Sequence, residues 1–248
     1  MSTTPGVSYD KDGRKTLIPL ENNPDVFADL ARNLGVAPSL GFHDVFSIDE
    51  PELLAMVPRP VHSLLVIVPA PVYYRVREKQ HGYEEITYEG AGADEPVTWF
   101  KQTIRHTCGL IALLHSISNG PAREFVVPGS ELDKLLAEAL PLKPRERAEL
   151  LYNSEFLEKA HMAAAVKGDT VAPAGEEPNG YHFICFVKGK DGHLWELEGA
   201  SDGPIDRGLL ADDEDVLSEK ALDAGIRRFT RVAEGNLEFS VVALADSD

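Results

Sequence analysis

Residues 62–70 read HSLLVIVPA, an apolar run with no polar alternation. A strand with one wet face alternates, whereas a continuous run of this length buries both faces. The chain must therefore provide packing layers above and below one central strand. It has the material for this, because 248 residues at 43% apolar and 26% charged suit a folded domain rather than a disordered or fibrous chain. The longest apolar stretch, residues 63–72, contains proline and is too short to span a bilayer, so no membrane partner is expected. The formal net charge of −17 comes with no compensating basic run. Such a chain repels phosphate backbones and attracts basic proteins or peptides, so nucleic acid is set aside as a partner.

Cysteine occurs only at Cys108 and Cys185, too few for a disulfide framework. Free thiols suit a reducing compartment, which points to the cytoplasm and, by the same reasoning, the nucleus. The first residues are polar without an apolar segment, so residues 1–16 read as a flexible lead-in and not as a signal peptide. A single domain is expected over residues 17–248, acting as a monomer.

Helix signals surround the central run. Asn23 can cap a helix with Pro24 in its first turn, Val26, Phe27, Leu30 and Leu34 on one face, and Gly35 at its end. A short helix is expected after Ser47. Another, apolar nearly all round, begins near Cys108. Further helices start at Ser130, at Pro144 and at Asn153 or Ser154, and an amphipathic one is expected over residues 212–228. Residues 73–96 are charged and Gly-rich and give no clear pattern. Residues 182–199 read as a hairpin turning at Lys190-Asp191-Gly192, and residues 237–244 as a last strand. Helices mixed with antiparallel strands indicate an α+β domain.

For chemistry, Cys108 stands at the start of a buried helix, where the helix dipole would lower a thiol pKa. Gly109 beside it would leave room for a substrate carbonyl. A lone cysteine is ordinarily just a small core side chain. A nucleophilic thiol needs a base, and the base an orienting acid. His182 opens the hairpin and Glu198 closes it, so the fold could bring them side by side. No CxxC or HExxH spacing suggests a zinc site, and no Gly-rich phosphate loop is present, so no cofactor is expected.

The segment FKQTIRHTCGLIALLHSISN resembles the nucleophile segment of ubiquitin carboxyl-terminal hydrolases, and HFICFVKGKDGHLWELEGASDGPID resembles their histidine and acid segment. The likeness continues through LIPLENNPDVFADLARNLGV, FHDVFSIDEPELLAMVPRP and RAELLYNSEFLEKAHMAAA, in order, over residues 17–244. The resemblance implies a papain-like α+β fold with a central antiparallel sheet flanked by helices, and a knotted backbone whose residues 167–181 cross over the active site. It implies a thiol protease, a deubiquitinase that removes small adducts or short peptides from the C-terminal glycine of its partner, ubiquitin. Cys108 would be the nucleophile, His182 the general base and Gln102 the oxyanion donor, with Glu198 where the family usually has aspartate. Glu21, Asp25 and Asp44 match positions lining the ubiquitin site. Two departures stand out. Glu198 has about 1.5 Å more reach than aspartate, and His106 replaces an asparagine common in the family. A ubiquitin-binding protein without activity and a hydrolase of another ubiquitin-like modifier are the alternatives.

Overall fold

The structure, a computed structural model, describes residues 4–81, 88–168 and 180–247. It opens on a small hairpin, β1 (Ser8–Tyr9) against β2 (Lys15–Thr16). Residues 8–16 of the expected lead-in thus lie in this hairpin. The Asp10 carboxylate accepts the N–H groups of Asp12 and Arg14, each at 2.9 Å, and so closes the turn. Lys15 then reaches Glu158 at 3.0 Å, with both side chains buried, and Arg105 reaches Asp10 at 3.1 Å. A polar segment thus takes a fixed place because its partners are charges far away in sequence.

Helix α1 (Pro24–Leu34) has the caps its sequence announces: Asn23 accepts from the Asp25 N–H, and Gly35 ends it at φ 98°. Strand β3 (Leu40–Asp44) and the short α2 (Pro51–Leu54) lead into β4 (Val61–Pro69). Helix α3 (Ala70–His81) follows β4 without a loop. Its start was obscured by Pro69 and Pro71, although proline suits the first turn of a helix. Next come α4 (Cys108–Ser118), a 3-10 turn (Gly120–Phe125), α5 (Glu131–Ala139), α6 (Pro144–Asn153) and α7 (Glu155–Ala165). Strands β5 (Tyr181–Lys188), β6 (His193–Leu197) and β7 (Ile205–Leu209) precede α8 (Glu219–Ala224), α9 (Arg227–Thr230) and β8 (Ser240–Asp246).

The single helix expected over residues 212–228 is a turn followed by two short helices. Asp215 holds the turn, accepting from the Val61 and Leu217 N–H groups and pairing with Arg59. Ser218 caps α8, and Gly225, at φ −103° and ψ −107°, separates α8 from α9. The residues expected to cross over the active site, 167–181, lie mostly outside the described residues.

Six strands form one sheet in the order β3-β8-β4-β5-β6-β7, every neighbouring pair antiparallel. Strand β4 lies inside it, between β8 and β5. Leu65 faces a core built with Phe27 and Leu30 of α1, Leu113 and Leu114 of α4 and Leu157 of α7. Leu64, Val66 and Val68 face a second core with Tyr73 and Val76 of α3, Leu222 of α8 and Phe229 of α9. The unbroken apolar run is thus explained: alternate side chains go to opposite helical layers. Among the described residues no helix is long and apolar enough to cross a membrane.

Candidate active site

The C-terminal end of β4 is where the chemistry gathers. Val68 pairs with His182 at the start of β5, and Ile67 pairs with Ser240 at the start of β8. On β6 the last paired residue is Leu197, opposite Cys185, so Glu198 emerges directly where the strand ends. His182 Nδ1 lies 3.6 Å from Glu198 Oε1, close enough for an ion pair but longer than a hydrogen bond.

Glu198 is buried, yet well supported. Its Oε1 accepts from the Ala200 N–H at 2.9 Å and its Oε2 from the Tyr73 hydroxyl at 3.0 Å. Its backbone carbonyl accepts from the Trp99 indole N–H at 3.1 Å. Burial alone would raise its carboxyl pKa, but approach to His182 and the Ala200 and Tyr73 donors hold it below the ordinary carboxylate value. The acid is therefore ionised at neutral pH.

Cys108 is the first residue of α4 and only partly buried. Thr107 precedes it without capping the helix, since its hydroxyl donates to the Ile104 carbonyl at 2.8 Å. The expected lowering of the thiol pKa is not what the structure gives. Burial, reinforced by the negative charge of Glu198, pushes the thiol up to about 11, against backbone hydrogen bonds from Gly109, Phe183 and Cys108 itself. Desolvation outweighs the helix terminus here. The contact with the Phe183 backbone sets the sulfur beside the residue that follows His182. The second thiol, Cys185, is fully buried against Ser116 at 3.2 Å and pushed up to about 12 by burial.

The loop before Cys108 is pinned at both ends. The Gln102 N–H donates to the Gly199 carbonyl at 2.8 Å, and the Arg105 N–H to Lys15 of β2 at 3.0 Å. Gly199 is needed for this closeness, since a Cβ there would lie 2.9 Å from Gln102 Cβ and 2.7 Å from Ile111 Cγ2. The residue after the acid is thereby tied to Gln102. The Gln102 side-chain amide donates to the Ile104 carbonyl at 3.0 Å, which leaves its second N–H available. His106 sits at φ 60°, a left-handed conformation in which asparagine and histidine are both enriched. Exchange of one for the other here thus preserves the backbone. Gly109 serves packing rather than substrate access: a Cβ on it would meet Leu20 at 3.1 Å.

Of the three acids expected at a binding surface, Asp44 is exposed at the end of β3 opposite Val242 and borders a cavity of about 520 Å³ with Phe46 and Leu237. Glu21 follows Leu20, which packs on Gly109, and its neighbour Asn22 donates to Ser240 at 2.9 Å. Asp25 is exposed in the first turn of α1. Among the described residues no group of three His, Cys, Asp or Glu side chains is placed to hold a metal ion. Sequence reasoning missed Tyr73 and Trp99, both of which hold Glu198. The only hint of Tyr73 was proline followed by Val72 and Val76 at helical spacing.

Residues 17–231 match the model of the family described as ubiquitin carboxyl-terminal hydrolase, family 1. Ubiquitin carboxyl-terminal hydrolase 3 of Arabidopsis thaliana is 35% identical, covering 93% of this chain and 94% of that protein. Ubiquitin carboxyl-terminal hydrolase isozyme L1 of Homo sapiens is 34% identical, covering 92% of this chain and 97% of its own. In structure, the catalytic domain of Trichinella spiralis UCH37 bound to ubiquitin vinyl methyl ester superposes with a TM-score of 0.69 at 20% identity, over 93% of this chain and 95% of that one. It shares the fold. Since the family model and relatives at about a third identity both span nearly all of the sequence, the chain belongs to family 1 of the ubiquitin carboxyl-terminal hydrolases, which are cysteine-type hydrolases.

Proposed function

We propose that this protein hydrolyses the bond between the C-terminal glycine of ubiquitin and a small adduct or short peptide, with Cys108 as nucleophile, His182 as base, Glu198 as orienting acid and Gln102 as oxyanion donor. The observation that carries this reading is the convergence of Cys108, His182 and Glu198 at the ends of α4, β5 and β6. Burial pushes the Cys108 thiol up, so His182 is placed to take its proton as the sulfur bonds to the carbonyl carbon. The ionised Glu198 faces Nδ1, which favours the tautomer with its proton there and leaves Nε2 free to accept. Negative charge developing on the carbonyl oxygen is met by the free Gln102 N–H and the Cys108 backbone N–H. The imidazolium then protonates the departing amine or thiol. Water, deprotonated by the same histidine, cleaves the thioester to release ubiquitin and restore the thiol. Glu21, Asp25 and Asp44 offer acidic positions to the basic tail of ubiquitin.

A fluorogenic amide on the ubiquitin C-terminus tests this: steady turnover is expected. Binding without turnover would instead support a ubiquitin-binding protein, and turnover only of a related modifier's amide would reassign the substrate. Gln102→Ala should lower kcat by about 10²–10³ with little change in KM, the usual loss for one oxyanion donor. A raised KM with unchanged kcat would make Gln102 a binding residue instead.

A further inference from the structure

We propose that Tyr73 is a positioning residue for the acid–base pair, its ring setting the plane of the His182 imidazole and its hydroxyl tethering the Glu198 carboxylate. The inference rests on the roles given above to His182 and Glu198.

Tyr73 reaches this place because α3 leaves β4 with no loop. The Ala70 N–H donates to the Gly180 carbonyl at 2.8 Å, and Tyr73, in the first turn, is turned back over the start of β5. Its ring lies parallel to the His182 imidazole, with centroids 4.3 Å apart and planes at 18°. It is also parallel to Phe229 at 6.3 Å. The adjacent Tyr74 meets the same imidazole edge-on at 5.3 Å and 87°. Two successive tyrosines therefore define the plane in which His182 can work.

The hydroxyl has a forced direction. Arg77, one helical turn on, donates through Nε to the Tyr73 oxygen at 2.9 Å. A guanidinium can only donate, so the single phenolic proton is left for Glu198 Oε2 at 3.0 Å. Arg77 is held in turn by Glu196 at 3.4 Å, a fully buried carboxylate that Arg207 also clasps at 2.5 Å. Among the described residues, Tyr73 is the one side chain that hydrogen-bonds Oε2 of Glu198. That tether has a reason in the sequence. A glutamate carries a further rotatable bond and about 1.5 Å more reach than aspartate, so its carboxylate needs a second fixed donor to stay facing Nδ1. In this structure the longer acid and the tyrosine form a unit.

Tyr73→Phe keeps the stacked ring and deletes the tether. In the full chain, with the ubiquitin amide, we expect kcat to fall at least about tenfold, the loss typical of a hydrogen bond to a buried charge. KM should change by less than about twofold, since no substrate contact is removed. In the Glu198→Asp background the shorter carboxyl no longer reaches the hydroxyl, so adding Tyr73→Phe should cost less than about threefold. Arg77→Gln removes the donor that directs the hydroxyl, together with the guanidinium 4.9 Å over the ring, but keeps the phenol and its stack on His182; should Tyr73→Phe lose its fold, a smaller fall in kcat is expected in this variant, again only in the Glu198 background. Parent-level kcat in Tyr73→Phe, or an equal loss in both backgrounds, would overturn the proposal, because a purely structural tyrosine would not distinguish the two acids. His182→Ala run alongside separates the two levels of inference. If that variant turns over like the parent, the assignment of the base has failed. If it is inactive while Tyr73→Phe is unimpaired, only the positioning role has.

Discussion

Cys108→Ala should reduce hydrolysis of a ubiquitin amide to the uncatalysed background, and His182→Ala should lower turnover by about 10⁴ or more, the scale on which members of a nucleophile–base unit act together. The losses should not add, because nucleophile and base act in the same step and removing either one disables it. The double variant should thus be no slower than the worse single one. Cys185→Ala is the control. That thiol is fully enclosed in the core and hydrogen-bonded to Ser116, so its loss touches packing and not the reaction. Turnover of each purified variant, with folding checked by circular dichroism, gives the comparison. Loss of activity in Cys185→Ala with activity retained in Cys108→Ala would reverse the assignment.

Acid should destabilise this protein steeply, and from an unusually high pH. His115 and His161 are fully buried on α4 and α7, and burial pushes their pKa values down to about 3 and about 4. The hydrogen bonds explain why neither tolerates a second proton. His115 Nε2 accepts from the Phe100 N–H at 2.9 Å, so a proton there would confront another donor. His161 contacts the Ile18 carbonyl through Nε2 at 2.6 Å, and its Nδ1 has no partner for a new N–H. Unfolded, both would titrate near 6.5. Their folded values lie lower, so the neutral forms cost nothing above about pH 6.5, and stability falls as the pH drops from there toward the folded values. One uncompensated proton is worth about 1.4 kcal/mol per pH unit, so the pair contributes on the order of 3 kcal/mol per unit between about pH 6 and 4. Glu198, held below its ordinary value, adds to the loss only at lower pH, as it becomes protonated. Two pH units thus remove on the order of 5 kcal/mol, a large part of the 5–15 kcal/mol typical of a folded domain. Urea unfolding across pH 7 to 4.5 should show this slope. His161→Gln, which keeps a donor for the Ile18 carbonyl, should roughly halve it. A flat profile, or an unchanged slope in that variant, would mean that the two imidazoles are not buried in neutral form.

The parts of the fold legible in the sequence are those whose signals are local. Asn23, Ser130 and Ser154 cap helices where their side chains announce it, and the unalternated run of β4 marks the inner strand. The hairpin of β5 and β6 turns where Gly192, at φ 80°, permits. What remained hidden depends on distant partners. The β1–β2 hairpin is fixed by Glu158 and Arg105, and residues 212–217 are bent by Asp215 reaching across to Arg59 and Val61. The site shows the same division. Cys108, His182, Glu198 and Gln102 stand out by resemblance, and the structure brings them together. Two of their physical properties did not follow from sequence. The thiol is raised rather than lowered, because enclosure outweighs the helix terminus. The longer acid is accommodated by Tyr73, in a segment whose two prolines masked a helix.

Ubiquitin bearing a vinyl methyl ester at its C-terminus places an electrophile where the scissile carbonyl would lie, so its reaction with this protein tests the assigned chemistry most directly. Peptide mass spectrometry of the product should find one ubiquitin per chain, attached to Cys108. The same adduct should be absent from Cys108→Ala and strongly slowed in His182→Ala. No adduct on the parent protein, or attachment at Cys185, would contradict the assignment of Cys108 as the nucleophile.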